Sequence, residues 1–98
     1  MVLITNPQYE ALVKAGHGNM DPIVKLFMSS LTWLVTGIED DVLYGYADLG
    51  MQCVEWGGLC LVEELPSMKV HGAWLERDYY FKHRKGINYL DLETLTGI

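Results

Sequence analysis

Between Pro22 and Glu64 apolar residues alternate with polar ones in short runs, and turn residues interrupt them at even intervals. Pro22-Ile23-Val24-Lys25-Leu26-Phe27, Leu31-Thr32-Trp33-Leu34-Val35-Thr36 and Val42-Leu43-Tyr44-Gly45-Tyr46-Ala47 lead into two further segments, Met51 to Trp56 and Leu59 to Val62. A period of two puts alternate side chains on opposite faces of a strand, so the pattern predicts an antiparallel sheet. Leu31, Trp33 and Val35 share one face, with Thr32, Leu34 and Thr36 on the other. Leu43, Gly45 and Ala47 likewise oppose Tyr44, Tyr46 and Asp48. The small Gly45 and Ala47 predict a close approach by a helix or a tryptophan.

Turn chemistry sets the connections. Gly37-Ile38-Glu39-Asp40-Asp41 and Asp48-Leu49-Gly50 predict turns, and Gly57-Gly58 predicts either a hairpin turn or a bulge. Each strand then pairs with the next, as in a meander. Ahead of the sheet, Thr5 and Gln8 are spaced as a capping box and Pro7 suits a first helical turn. They predict a helix over residues 6–15 with Tyr9, Leu12 and Val13 on one face, ended by Gly16-His17-Gly18-Asn19. Beyond the sheet, Glu63-Glu64-Leu65 reads as one helical turn stopped by Pro66, and Ala73-Trp74-Leu75 as extended chain. Lys82 to Gly86 is a short basic run, and Tyr89, Leu90, Leu92 and Leu95 are spaced for a C-terminal helix or an ordered tail. The fold class expected is α+β, a four- to five-stranded antiparallel meander packed against an N-terminal helix.

Composition narrows this picture. Ninety-eight residues, half of them hydrophobic, suit one domain over residues 1–98 with a single core. Thirteen acidic against seven basic residues give a net charge of −6, which disfavours a direct nucleic-acid role. An acidic surface instead suits solubility, or docking on a basic partner. No apolar run approaches the roughly 20 residues that cross a bilayer, and the N-terminus has no signal-peptide pattern. A soluble cytoplasmic protein is expected, with Cys53 and Cys60 free and buried.

Candidate chemistry is sparse. His17, His71, His83, Cys53 and Cys60 lack the close spacing of a zinc motif, so no metal and no cofactor are expected. Ser29, Ser30 and Ser67 have no nucleophile elbow, and Glu39-Asp40-Asp41 and Glu63-Glu64 read as solvated acids, so an enzyme is not expected. Glu76-Arg77-Asp78, flanked by Trp74, Tyr79, Tyr80 and Phe81, has two readings. Arg77 is a clamp for a carboxylate or phosphate, oriented by Asp78, or the cluster is a structural ion pair. Trp33, Tyr44, Tyr46, Trp56 and Trp74 are the remaining candidates; most of such a set is core, but Tyr44 and Tyr46 are interface anchors if their sheet face is only partly covered by the helix.

The order of Pro22 to Phe27, Leu31-Thr32-Trp33, Tyr44-Gly45-Tyr46, Gly57-Gly58-Leu59-Cys60-Leu61 with Glu64-Leu65, and Leu75-Glu76-Arg77-Asp78-Tyr79-Tyr80-Phe81 resembles a small bacterial family, domain of unknown function 2958. The Leu3-Ile4-Thr5 start fits as well. The resemblance spans residues 3–81 and leaves out the tail after Phe81. This chain has Leu31 where the family tends to carry a first Trp, and Cys60 and Val62 where it has serines. The resemblance implies no established activity. It implies carriage by plasmids, integrative elements and phages near anti-restriction genes. The function expected is therefore a non-catalytic protein of a mobile element that binds and inhibits a host protein complex, anti-CRISPR-like or anti-restriction. The partner is a host protein or complex, including one built to hold nucleic acid. Partner-binding candidates are Trp33, Tyr44, Tyr46, Glu76, Arg77 and Asp78. The alternative is a small-anion or ligand-binding domain centred on Arg77.

Overall fold

The computed structural model describes residues 3–28, 31–49, 53–70 and 72–82. The chain opens with helix α1 (Asn6–Ala15), and its start is local chemistry. The Thr5 hydroxyl accepts from the Gln8 amide at 3.3 Å, and the Gln8 side-chain oxygen accepts from the Thr5 amide at 2.9 Å. This capping box satisfies two helix-end donors that would otherwise lack partners. At the other end Gly16, at φ 69°, donates its N–H to the Leu12 carbonyl at 3.0 Å. Leu12 is the buried residue of α1. Tyr9 and Val13, which their spacing puts on one helical face with it, are 39% and 48% exposed.

Four strands follow: β1 (Val24–Met28), β2 (Leu31–Glu39), β3 (Val42–Asp48) and β4 (Val54–Leu61). A 3-10 helix over Val62–Ser67 leads to the two-residue strands β5 (Lys69–Val70), β6 (Ala73–Trp74) and β7 (Glu76–Arg77). The main sheet has the order β4-β3-β2-β1-β7 with every neighbour antiparallel, and β5 and β6 form a small separate ladder. The fold is α+β, a meander with an N-terminal helix packed on it, as the alternation predicts.

The turns are tighter than the sequence suggests. Gly37, Ile38 and Glu39 stay in β2, and the β2–β3 hairpin closes on two residues, Asp40 and Asp41, at φ 52° and 62°. Positive φ at both central positions matches the twist of the flanking strands, and Asp tolerates it better than most residues. Gly57 and Gly58 lie inside a continuous β4, so they form no hairpin turn. Leu59 is the unmatched residue of a bulge there, because Tyr44 pairs with Gly58 and Leu43 with Cys60. Pro66 does not stop the helical turn before it but sits within the 3-10 helix.

The sheet buries both faces. Val24, Leu26, Met28, Trp33, Val35, Ile38 and Leu43 form the main core with Leu12 of α1, Leu65 and Leu75. Leu34 and Tyr46 form a second cluster on the other face, where Val54, Trp56 and Phe81 pack against them. A strand covered on both sides reads as a continuous apolar run, and Trp33-Leu34-Val35 is such a run.

Glycines set two close approaches. A Cβ on Gly37 would lie 1.9 Å from the Gly16 carbonyl oxygen, so the end of α1 sits against β2 at that point. A Cβ on Gly45 would lie 2.2 Å from the Leu34 carbonyl oxygen. The close neighbour expected at Gly45 is therefore the adjacent strand's backbone, not a helix or a tryptophan. The Met51 and Gln52 end of the fourth run, Gly50, the serines 29 and 30, His71, His83, the basic run beyond Lys82 and the C-terminal helix or tail lie outside the described residues.

Candidate partner-binding surface

Strand alternation divides the Glu76-Arg77-Asp78 cluster. Arg77 pairs in register with Leu26 and Glu76 with Phe27, so neighbouring side chains leave β7 on opposite faces. Arg77 reaches the N-terminus, donating to the Leu3 carbonyl at 3.2 Å and the Gln8 side-chain oxygen at 3.4 Å. It thereby joins the capping box of α1 to β7. Its guanidinium also lies 4.8 Å from the Tyr79 ring centroid, within cation–π range.

Asp78 does something else. Its carboxylate lies 3.6 Å from the Lys25 ammonium and accepts from the Tyr80 amide at 2.8 Å, while its own N–H donates to the Lys25 carbonyl at 3.0 Å. The expected Asp78–Arg77 unit is thus replaced by two separate ties, one on each face. Asp78 holds the turn that follows β7, and that turn presents Tyr79 and Tyr80 to solvent. They are 66% and 90% exposed, and Trp74 is 56% exposed four residues before Asp78.

Two grooves flank these aromatics. One of about 380 Å³ is lined by Lys25, Phe27, Glu76, Arg77, Asp78, Tyr79 and Tyr80. The other, about 680 Å³, lies between the 3-10 helix and β6, with Leu65, Pro66, Met68, Trp74 and Leu75 in its wall.

The expected Tyr44–Tyr46 face does not lie open. Tyr46 is 5% exposed and donates its hydroxyl to the Met20 carbonyl at 2.8 Å. Trp33 is 4% exposed within the main core, and its buried indole N–H has no hydrogen-bond partner among the described residues. Neither is available as an interface anchor. Tyr44 is half-buried, its ring centroid 4.2 Å from His17 and 6.0 Å from Trp56. The loop after α1 closes this face, with Asn19 donating to the Thr36 carbonyl at 2.8 Å. Of the six candidates, Glu76, Arg77 and Asp78 thus meet at the β7 edge, where all three line the smaller groove, while Trp33, Tyr44 and Tyr46 belong to the interior or its edge. Of the strongest surface aromatics, Tyr79 and Tyr80 carried a sequence signal only as flanks of the charged cluster, whereas Trp74 also stood among the aromatic candidates.

Both cysteines are free, but they are not both buried: Cys53 is exposed and Cys60 half-buried. Cys53 directly precedes β4 and Cys60 is its next-to-last residue, about 20 Å away at roughly 3.3 Å per residue of strand, which rules out a bridge between them in this fold. Burial, with Glu64 nearby, pushes the Cys60 thiol up to about 11. Among the described residues no group of three or more His, Cys, Asp or Glu is placed to hold a metal ion, and no helix is long and apolar enough to cross a membrane.

A family model described as "Protein of unknown function (DUF2958)" matches residues 2–97, which extends the similarity through the tail. No curated protein and no solved structure matches the chain.

Proposed function

Because the chain belongs to the DUF2958 family, whose description assigns no activity, we propose a function from its own surface: a non-catalytic protein-binding module that docks through the Trp74–Tyr80 segment. One observation carries the reading. Three aromatics, each more than half exposed, fall within seven residues at the β7 edge, between two grooves. Large aromatic side chains left in water are costly unless a partner covers them, and they supply the anchors of most interfaces.

The small-anion alternative has less support. Lys25 and Arg77 line the smaller groove, but so do Glu76 and Asp78, so two cations face two carboxylates. Arg77 also spends donors on Leu3 and Gln8. The narrower version of the leading reading makes the partner a host defence complex and the module its inhibitor, encoded on a phage or another mobile element. It rests on the setting that the family resemblance implies.

Quantitative capture of host-lysate proteins on the immobilised chain tests the reading. Capture of a specific protein falls about thirtyfold or more in Tyr80→Ala and Trp74→Ala, as for hot-spot aromatics, while Val13→Ala on the exposed side of α1 keeps it. Capture indifferent to Trp74→Ala, Tyr79→Ala and Tyr80→Ala alike sinks it.

A further inference from the structure

We infer that β4 pairs antiparallel with the β4 of a second copy, centred on Trp56, and joins the two main sheets into one. In the order β4-β3-β2-β1-β7, β4 is an edge, and among the described residues β3 is its one strand partner. The opposite edge, β7, has two residues, whereas β4 has eight. None of the eight is buried, and Glu55, Gly58 and Leu61 are exposed. A long open edge is a template for another strand unless lysine, proline, a bulge or a covering group guards it. Here the guards sit at one end. Leu59 forms the bulge, and the Glu64 side-chain oxygen accepts from the Leu61 amide at 3.3 Å. Val54 to Gly58 contains no lysine or proline and pairs regularly with β3.

The direction of the peptide groups selects the occupant. Val42 follows the two-residue turn and bonds to β2, so alternation gives β4 the peptide groups of Leu43, Gly45 and Ala47. Gly57 and Glu55, paired with Gly45 and Ala47, therefore face β3, and Val54, Trp56 and Gly58 turn their N–H and C=O groups outward. An open segment whose first, third and last residues face outward matches an antiparallel copy of itself, with Trp56 against Trp56 and Val54 against Gly58. Glu55 then lies opposite Gly57 of the second copy, so the segment's one charge meets no like charge directly across. The glycine at 57 gains a reason. Its φ is not positive, and an added Cβ would meet no atom of the described residues within 4 Å. Glycine inside a strand without such a local need marks the close approach of another backbone. The Trp56 indole donates to the Thr36 hydroxyl at 3.4 Å, so its ring lies back over β3 and leaves the edge clear. Because β7 lies at the other edge, the pairing is independent of the protein-binding reading.

Sedimentation velocity of the full chain, from about 0.01 mM to about 0.5 mM, should show a monomer passing into a dimer. Over the same range amide exchange should slow at Val54, Trp56 and Gly58 and stay constant at Glu55 and Gly57, which β3 already holds. Charge at position 57 tests the register. Gly57→Glu sets a carboxylate opposite each Glu55, and Gly57→Lys sets an ammonium there, at a position with room for either side chain. The dimer Kd should rise about fivefold in the first and fall about fivefold in the second, while both monomers melt near the parent. A chain that stays monomeric at about 0.5 mM overturns the inference, as does a dimer whose Kd the two substitutions move in the same direction. A monomeric chain whose capture of a host protein falls in Gly57→Glu gives the edge to a foreign strand and overturns it too. Absence of the dimer alongside capture that Tyr80→Ala abolishes removes this inference alone and leaves the protein-binding reading standing.

Discussion

Replacing Gly37 with alanine tests whether the end of α1 is clamped against the sheet. The added Cβ would lie 1.9 Å from the Gly16 carbonyl oxygen, 2.7 Å from its carbon and 3.3 Å from its nitrogen. All three atoms are backbone, so no side chain can rotate away. Relief requires Gly16 or β2 to retreat by about 1.5 Å. Overpacking of this kind costs about 1–3 kcal/mol. The loop that moves also carries the Asn19–Thr36 and Tyr46–Met20 hydrogen bonds, at about 1 kcal/mol each. Alanine restricts the unfolded chain and returns about 0.4–1 kcal/mol.

The net loss is about 3 kcal/mol, which for a domain of this size lowers Tm by about 12–24 °C. Thermal melts followed by circular dichroism measure it, with urea midpoints at unchanged slope as the check on two-state behaviour. Gly57→Ala is the control, because no atom of the described residues lies within 4 Å of its added Cβ. It should leave Tm unchanged or raise it by a few degrees. A Gly37→Ala protein melting within about 3 °C of the parent refutes the clamp.

Other outcomes follow from single contacts. Asp41→Gly relieves a side chain held at φ 62° in the β2–β3 turn and should raise stability by up to about 1 kcal/mol, whereas Asp41→Val should lower it; urea midpoints separate the two. Arg77→Ala removes charged donors from the Leu3 carbonyl and Gln8, costing about 1.5–3 kcal/mol by the same assay. If Arg77 were only a ligand clamp, stability would hold. Maleimide labelling read by mass spectrometry at pH 7 should modify the exposed Cys53 first and Cys60 slowly. The Cys60 rate should climb as pH rises towards about 11, because burial keeps the folded thiol protonated above its ordinary value of 9.0. The unfolded chain ionises there first, so this thiol's contribution to stability is present below pH 9.0 and falls as pH rises towards 11.

What could be read from the sequence was local. Thr5 and Gln8 are three residues apart, and their reciprocal hydrogen bonds need nothing else, so α1 has the predicted bounds. Strands β1 to β3 follow from the period of two. The misread features are those decided by distant partners. Gly37 looks like turn glycine until Gly16 arrives on top of it. Tyr46 looks like a surface anchor until the loop from α1 supplies the Met20 carbonyl and Phe81 crosses the second face. The consecutive apolar Trp33, Leu34 and Val35 carried the warning, since a strand with one wet face rarely spends three such residues in a row.

Glu76-Arg77-Asp78 shows the same limit at the candidate site. Three charged neighbours in sequence look like one electrostatic unit, yet two residues of strand pairing with β1 suffice to turn them to opposite faces. Arg77 then stabilises the N-terminus, and Asp78 holds the turn that carries Tyr79 and Tyr80. Phe81, the third aromatic in that run, packs inward against Leu34 and Tyr46, whereas Tyr80 is 90% exposed. Composition cannot separate these neighbours; the path of the chain after β7 does. If the protein-binding reading holds, residues that fix that path contribute to binding even when a partner never touches them. Lys25→Met is the variant that tests this role. It removes the ammonium from Asp78 while keeping β1 in register, and should weaken partner capture with little change in Tm. Full capture by Lys25→Met would show that Tyr79 and Tyr80 do not depend on that tie.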